Sequence, residues 1–171
     1  MLYSLPYIPL FQDLTPAQTT LLKSLFEDFS CPAGTVIFEQ GDPAQFLYLI
    51  LTGRVAIHYK PYDGPPLVVT RLNEGDVFGW SAVIGSPKYT SSIISEGELT
   101  AIRIHRKELW NLVDKYPETG RTIIDRLAHI VSPRWKNAHA QIQPLLNSNH
   151  DSAKRSLNTT RRARGHEVHE G

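Results

Sequence analysis

The spacing of apolar residues changes twice along the chain, and each change predicts a different kind of secondary structure. Between residues 15 and 29 the period is that of an amphipathic helix, with an apolar stripe of Leu21, Leu22, Leu25, Phe26 and Phe29. Thr15 and Pro16 precede the stripe as N-cap and first helical residue, and Gln18 is placed to complete a capping box. A short helix is therefore predicted to open the domain.

From Gly34 to His105 the period falls to two, as in strands that bury one face. These segments are rich in Val, Ile, Tyr, Phe and Thr, and Gly, Pro, Asn or Asp stands at each join. The predicted strands are 35–39, 46–51, 54–60, 67–72, 91–94 and 100–105. Short strands at this spacing indicate a sandwich or barrel. We therefore predict an α+β fold, a jelly-roll-like β-roll of about eight strands with an N-terminal helix and C-terminal helices.

A helical period returns after His105, with one short helix predicted at 108–114 and a second from Pro117 through Val131. Apolar residues then continue at spacings close to the heptad seam that two helices share, namely Leu127, Val131, Trp135, Ala138, Ile142 and Leu145. Pro133 predicts either a kink or a fresh helix start, and both preserve the seam. We therefore expect a homodimer that forms through the C-terminal helices.

Composition adds a polar appendage to this picture. The 171 residues are 41% hydrophobic and 20% charged, with a net charge of +1. Residues 132–171 nevertheless carry 7 Lys and Arg against 3 Asp and Glu. Residues 147–171 have too few apolar side chains to offset the entropy of ordering, so we predict a domain at 9–146 and a disordered basic tail at 147–171. A solvated tail explains these charges better than contact with nucleic acid, and we expect no nucleic-acid partner.

The residues present argue against several function classes. Cys31 is the sole cysteine, and only His58 and His105 lie in the predicted strands, so we expect neither a disulfide nor a metal site. No Gly-x-Ser-x-Gly turn or cysteine–histidine context for a nucleophile is present, so we do not expect an enzyme. No signal-peptide pattern or apolar run of roughly 20 residues occurs, which leads us to expect a cytoplasmic protein without membrane contact.

The strand pattern breaks between residues 75 and 92 at a small polar turn rich in glycine. Gly79 lets a backbone come close to a ligand, Ser81 is placed to cap a short helix, and Lys88 supplies a charge beside hydroxyl groups. This chemistry suits an anion, most simply a phosphate. The candidate ligand-binding residues are Gly79, Trp80, Ser81, Ala82, Lys88, Tyr89, Thr90 and Ser91. An ordinary turn that leads into a strand explains the same residues without a ligand.

Three segments carry a resemblance to a known family. They read Phe-Glu-Gln-Gly-Asp at 38–42, Phe-Leu-Tyr-Leu-Ile-Leu-Thr-Gly-Arg-Val at 46–55 and Gly-Asp-Val-Phe-Gly at 75–79. Together with the order of elements, they resemble the cyclic-nucleotide-binding domain of the catabolite-activator and protein-kinase regulatory families, over residues 9 to about 146. The resemblance implies a regulatory role in signal transduction. It also implies that the turn is a phosphate-binding cassette, in which backbone amides and an arginine hold the cyclic phosphate while a glutamate takes the ribose hydroxyl.

The match to that cassette is partial. Gly79 stands at the close-approach glycine, but Trp80 occupies the glutamate position and Lys88 the arginine position. No carboxylate remains for the ribose hydroxyl unless Glu74 or Asp76 reaches it, and lysine lacks the planar fork that matches phosphate. Trp80 either packs in the core or plugs the pocket, or it stacks on a base or another flat ligand. The family's transcription factors also append a winged helix-turn-helix, and we expect none after the C-terminal helices here.

Two functions follow as expectations. The first is a regulatory domain that senses a cyclic nucleotide or another phosphate-bearing small molecule, with weak, altered or lost binding of cyclic AMP and cyclic GMP, and transmits its state through the C-terminal helices. The alternative is a ligand-free, homodimerising protein-interaction module.

Overall fold

The computed structural model describes residues 8–131 and confirms a β-roll of eight strands flanked by helices. The elements in chain order are a 3-10 turn at Pro9–Phe11, α1 at Pro16–Leu25, β1 at Phe26–Cys31, β2 at Val36–Phe38, β3 at Phe46–Thr52, β4 at Val55–Tyr59, β5 at Leu67–Leu72, β6 at Val77–Phe78, a 3-10 turn at Trp80–Ala82, β7 at Ser92–Ser95, β8 at Leu99–His105, α2 at Arg106–Lys115 and α3 at 117–131.

Helix α1 begins where its cap predicts, but it ends before the apolar stripe does. The hydroxyl of Thr15 accepts from the amide of Gln18 at 3.1 Å, and the side chain of Gln18 accepts from the amide of Thr15 at 3.0 Å. The helical prediction is wrong at Phe26 and Phe29, which lie in β1. Strand β1 pairs with β8 along its whole length, and this tertiary pairing overrides the local period.

Two antiparallel four-stranded sheets build the roll. Their strand orders are β1-β8-β3-β6 and β2-β7-β4-β5. The predicted bounds of β2, β3, β4, β5, β7 and β8 agree with the structure to within one residue at each end. Strand β6 was not predicted, because two residues are too few to show an alternating pattern. They pair with Tyr48 and Leu49 of β3.

The first sheet separates two cores because its side chains alternate between its faces. Leu47 and Leu49 face the helices, whereas Tyr48 and Ile50 face the second sheet. We name the first cluster the helix-side core, formed by Leu10, Phe11, Leu22, Phe26, Leu47, Leu49, Val77, Val83, Ile102, Ile104, Leu109, Leu112, Ile123, Leu127 and Val131. We name the second the inner core, formed by Phe38, Ala44, Tyr48, Ile50, Val55, Leu72, Phe78, Ala82, Tyr89, Ile93 and Leu99.

Helix α3 closes the helix-side core against α2. A Cβ added at Gly120 would lie 2.6 Å from the Cα of Val113, so the two helices approach where only glycine fits. Leu127 and Val131 of the predicted dimer seam are buried in the chain's own core. A seam built on them requires α3 to turn these side chains outward. The other seam residues, Trp135, Ala138, Ile142 and Leu145, and the predicted tail at 147–171 lie outside the described residues.

Candidate functional site

The glycine-rich turn follows β6 directly and touches the start of β3. Gly79 has a left-handed backbone with φ of 83°. A Cβ added there would lie 2.6 Å from the carbonyl oxygen of Phe46, which is far inside van der Waals contact. The backbone at Gly79 therefore closely approaches the protein's own strand β3, and its predicted approach to a ligand stays a prediction.

Several amides of the glycine-rich turn donate to carbonyl groups within the turn. The N-cap of the 3-10 turn is Gly79 with no side-chain hydrogen bond, so the prediction that Ser81 caps a helix is wrong. Ser81 instead lies buried inside the turn. The amide of Ala82 donates to the carbonyl of Gly79 at 3.1 Å, and that of Val83 donates to the carbonyl of Trp80 at 2.9 Å. These two amides point along the turn rather than towards a bound anion.

Tyr89 fills part of the roll beside this turn. Its ring stacks on that of Phe38, with 3.5 Å between centroids and 9° between planes. Its hydroxyl donates to the carbonyl of Phe46 at 2.6 Å and accepts from the amide of the same residue at 2.9 Å. Burial raises the pKa of Tyr89 to about 12, despite these hydrogen bonds. Tyr89 is thus a neutral, anchored member of the inner core.

A second ring pair lies next to the first. Tyr48 stacks on Phe78 with centroids 4.6 Å apart, and Phe38 lies 6.1 Å from each of these rings. Four aromatic rings therefore occupy the inner core beside the turn.

The remaining candidates spread over different surroundings. Trp80 is half-buried and packs against the helix-side core, which favours packing over stacking on a ligand inside the roll. Lys88 is exposed, its backbone bridges to Pro43, and its carbonyl accepts the hydroxyl of Ser86 at 2.8 Å. The other two are Thr90, which is exposed, and Ser91, which is half-buried. A ligand role for any of these four residues stays a prediction.

Arg103 is a polar residue on the inner face that the sequence reasoning missed. Its Nε lies 2.5 Å from Oε1 of Glu27, and its Nη1 donates to the hydroxyl of Tyr48 at 3.4 Å. Its Cζ lies 4.1 Å from the ring centroid of Phe46 and 5.1 Å from that of Phe29. The two-residue period of β8 is the signal that was present, because it sets Arg103 on the same face as Leu99.

The charges around Arg103 reinforce its cationic state. Burial acts to lower the pKa of Arg103, but hydrogen bonds to Tyr48 and Glu27 outweigh it and raise that pKa above its ordinary value. Burial also raises the pKa of Tyr48, so its phenol stays protonated beside the guanidinium at neutral pH. The inner face thus carries a fixed positive charge with one carboxylate partner.

Two negative findings concern residues 8–131. Within this range no three side chains of His, Cys, Asp or Glu come together in a group that could hold a metal ion. No helix in the same range has both the length and the apolarity to span a bilayer.

Comparison with known proteins decides the family. Residues 29–116, more than half of the chain, match the profile of the cyclic nucleotide-binding domain. The chain belongs to the cyclic nucleotide-binding domain family. The CRP-like cAMP-activated global transcriptional regulator of Mycobacterium tuberculosis is 25% identical over 137 residues, which are 80% of this chain and 59% of that protein. This confirms the resemblance that the three sequence segments suggested.

Solved structures of the family agree with the fold. The Thermus thermophilus catabolite activator protein is 26% identical with a TM-score of 0.64, over 80% of this chain and 62% of that chain. A cyclic nucleotide-binding domain from Methylobacillus flagellatus KT has a TM-score of 0.70 at 22% identity, over 84% of this chain and 80% of that chain. That last likeness concerns the fold alone. The chain spans about three fifths of the mycobacterial and Thermus proteins.

Two carboxylates, those of Asp76 and Glu74, lie next to the cassette turn. Asp76 is buried and its Oδ2 accepts from the amide of Asn73 at 2.7 Å, which stabilises the turn before β6. Glu74 is exposed at the tip of the same turn. Neither lies among the rings of the inner core.

Proposed function

We propose that this chain is a ligand-sensing regulatory domain of the cyclic nucleotide-binding type, in which binding of cyclic AMP and cyclic GMP is weak, altered or lost. The observation that carries the proposal is the stack of Tyr89 on Phe38 inside the roll, at 3.5 Å. A ring anchored by two hydrogen bonds to Phe46 occupies volume that a nucleotide next to the turn would need. Ligand binding then has to offset the free energy of displacing that ring.

The polar groups of the cassette support the same proposal. Trp80 offers no carboxylate for a ribose hydroxyl, and it packs towards the helices. Lys88 is a point charge on an exposed side chain, which lacks the bidentate geometry that an arginine would offer to phosphate. The matched mycobacterial regulator is described as cAMP-activated, whereas Trp80 and Lys88 of this chain depart from the family's cassette pattern.

Transmission through the C-terminal helices is the second half of the proposal. Val83 and Trp80 of the turn pack in the helix-side core, to which α3 contributes Ile123 and Leu127. At the start of α2, Nη1 of Arg106 donates to the carbonyl of Ser86 at 3.4 Å. A displaced turn would therefore change contacts with both helices, which is the differential interaction that coupling requires.

Calorimetry on the full chain tests the sensing role. Titration with cyclic AMP, cyclic GMP and cyclic dinucleotides up to millimolar concentration should give weak binding at most. Tyr89→Ala, and Tyr89→Leu as a variant that fills more of the space, should tighten cyclic AMP binding at least ~10-fold. Tyr62→Ala, at an exposed position, is the matched control.

Three outcomes contradict parts of this proposal. Binding of cyclic AMP by the unmodified chain below about 1 μM would show that the cassette is not weakened. Unchanged affinity for cyclic AMP in both Tyr89 variants would show that the Tyr89 ring does not obstruct binding. An absence of heat with every ligand, in the unmodified chain and in the variants alike, would reject sensing of these nucleotides.

The aromatic filling of the inner core also favours the alternative, a ligand-free homodimerising interaction module. Its seam is the set Leu127, Val131, Trp135, Ala138, Ile142 and Leu145. Charged residues introduced at Trp135 and Ile142 should then give a monomer by light scattering. A mass that the substitutions leave unchanged would reject this seam.

A further inference from the structure

A cation and a carboxylate lie side by side on the inner face of the first sheet, on strands that do not belong to the cassette turn. Arg103 of β8 is paired in register with Glu27 of β1 on one side and with Tyr48 of β3 on the other. Residues paired directly across antiparallel strands point to the same face. Tyr48 belongs to the inner core, so Arg103 and Glu27 point into the roll as well.

The surroundings hold this guanidinium in place but leave it accessible. The rings of Phe29 and Phe46 pack against it, and 27% of the Arg103 side chain is exposed. Packing against ring faces fixes the plane of a guanidinium and leaves its N–H edges free to donate. Its carboxylate partner Glu27 is 53% exposed, and an ion pair with so exposed a partner contributes little net free energy. A stronger oxyanion can therefore replace that carboxylate.

Three other arginines of the roll and its helices interact with protein groups outside the aromatic cluster. Arg54 and Arg71 both pair with Glu96. Arg106 donates to the carbonyls of Ala44 and Ser86. Among the residues that the structure describes, Arg103 is the cation that packs over the aromatic rings of the roll.

Arg103 is also linked to the cassette turn. The ring of Phe46 packs on its guanidinium, and the backbone of Phe46 is hydrogen-bonded by Tyr89 and approached by Gly79. An anion that moved Arg103 or Phe46 would therefore act on the turn. The link passes through one residue that contacts both groups.

We propose that Arg103 is the anion-recognising residue of this roll, which exchanges the Glu27 carboxylate for the phosphate of a small organic phosphate. The proposal rests on the ligand-sensing function above and assigns its charged contact to β8 instead of the cassette. Arg103 offers the bidentate geometry that Lys88 lacks.

The test uses the full chain with two probes, cyclic AMP and inorganic pyrophosphate. The NMR signal of the Arg103 Nε–H group, assigned by its loss in Arg103→Gln, is followed during each titration, and affinity is measured by calorimetry. Arg103→Gln should weaken binding at least ~10-fold, and Arg103→Lys should do so less. Glu27→Gln should tighten binding several-fold because it removes the competing carboxylate. Arg71→Gln, which breaks an ion pair elsewhere, should change nothing.

Opposite effects of Arg103→Gln and Glu27→Gln on affinity distinguish a role in ligand recognition from a role in stability. If Glu27→Gln weakens binding as much as Arg103→Gln, the pair serves stability and the inference is overturned. Cyclic AMP binding that Arg103→Gln leaves unaltered overturns the inference and leaves the sensing function standing. An Arg103 signal that moves with neither probe at millimolar concentration also overturns it. A response to pyrophosphate alone supports the inference and contradicts cyclic nucleotide sensing.

Discussion

The backbone of Phe46 is the point at which the cassette turn meets the roll. Its carbonyl oxygen is hydrogen-bonded by Tyr89 and lies against the backbone of Gly79, while its amide is bound by the same phenol. Two residues that are distant in the sequence from Phe46, Tyr89 and Gly79, thus contact its backbone. Two variants, Gly79→Ala and Tyr89→Phe, test these contacts with the backbone of Phe46.

Gly79→Ala should destabilise the protein more than another left-handed glycine does. Its added Cβ meets both an unfavourable φ and the oxygen of Phe46, so the free energy of unfolding should fall by about 2–4 kcal/mol. Urea unfolding followed by circular dichroism measures this loss. Gly75→Ala is the matched control, since its φ is 86° but nothing lies within 4 Å of its added Cβ. It should cost about 1 kcal/mol, and equal losses would contradict the contact at Gly79.

Tyr89 should make the protein lose stability in alkali. Its pKa is raised to about 12, so above pH 10 the unfolded phenol ionises first and the folded state binds more protons. Stability from this group is complete below about pH 10 and falls, by at most about 3 kcal/mol, as pH rises through about 12. The phenylalanine of Tyr89→Phe cannot ionise. The unfolding free energy of the unmodified chain should therefore fall relative to that of Tyr89→Phe between about pH 10 and 12.

Denaturant unfolding at several pH values measures that difference. Tyr62→Phe serves as the control, because Tyr62 is 93% exposed and its replacement should leave the curve unchanged. If the unfolding free energies of the unmodified chain and Tyr89→Phe differ by the same amount at every pH, the phenol of Tyr89 is not buried in its neutral form.

At the scale of elements, the capping box sets the start of the N-terminal helix, and strand β1 sets its end. Helix α1 ends at Leu25 and β1 starts at Phe26 without an intervening loop. The capping box fixes the first turn, and the side chain of Gln18 also donates to the hydroxyl of Thr119 at 3.0 Å. The cap therefore stabilises α1 and its contact with α3 together.

Thr15→Ala should lower the free energy of unfolding by about 1 kcal/mol, because it removes the side-chain oxygen that accepts from the amide of Gln18. Thermal or urea unfolding detects a change of this size. Thr20→Ala, an exposed substitution inside the same helix, should be neutral or slightly stabilising because alanine has the higher helix propensity. Equal losses in the two variants would argue against the capping box.

At the scale of the whole molecule, the first sheet stands between the helix-side core and the inner core. Helix α3 belongs to the first of these, through Ile123, Leu127 and Val131. Nη1 of Arg126 also donates to the carbonyls of Leu10 and Gln12, at 3.0 and 2.6 Å. The attachment of α3 thus depends on the segment before α1 as well as on the sheet.

Arg126→Ala should loosen α3 without unfolding the roll. Loss of hydrogen bonds from a charged donor should speed hydrogen exchange of amides in 117–131 about tenfold or more, while strands β3 and β8 stay protected. Mass spectrometry of exchanged peptides resolves these regions. Arg121→Ala, on an exposed position of the same helix, is the control. Faster exchange throughout the chain would mean global destabilisation instead.

The sequence by itself determined the elements whose cause is local. The two-residue period located six strands to within one residue, the capping box located the start of α1, and three turn-bounded segments identified the family. These features depend on neighbours a few residues apart, which a sequence displays directly.

Tertiary structure decided what depends on partners far along the chain. Phe26 and Phe29 fit a helix locally and became a strand because β8 supplied hydrogen bonds. Tyr89 became a buried ring because Phe38 and Phe46 met it, whereas Lys88 beside it stayed exposed. Arg103 gained its carboxylate from a strand 76 residues away. Side-chain environment arises from pairing across distant strands, and no local pattern encodes it.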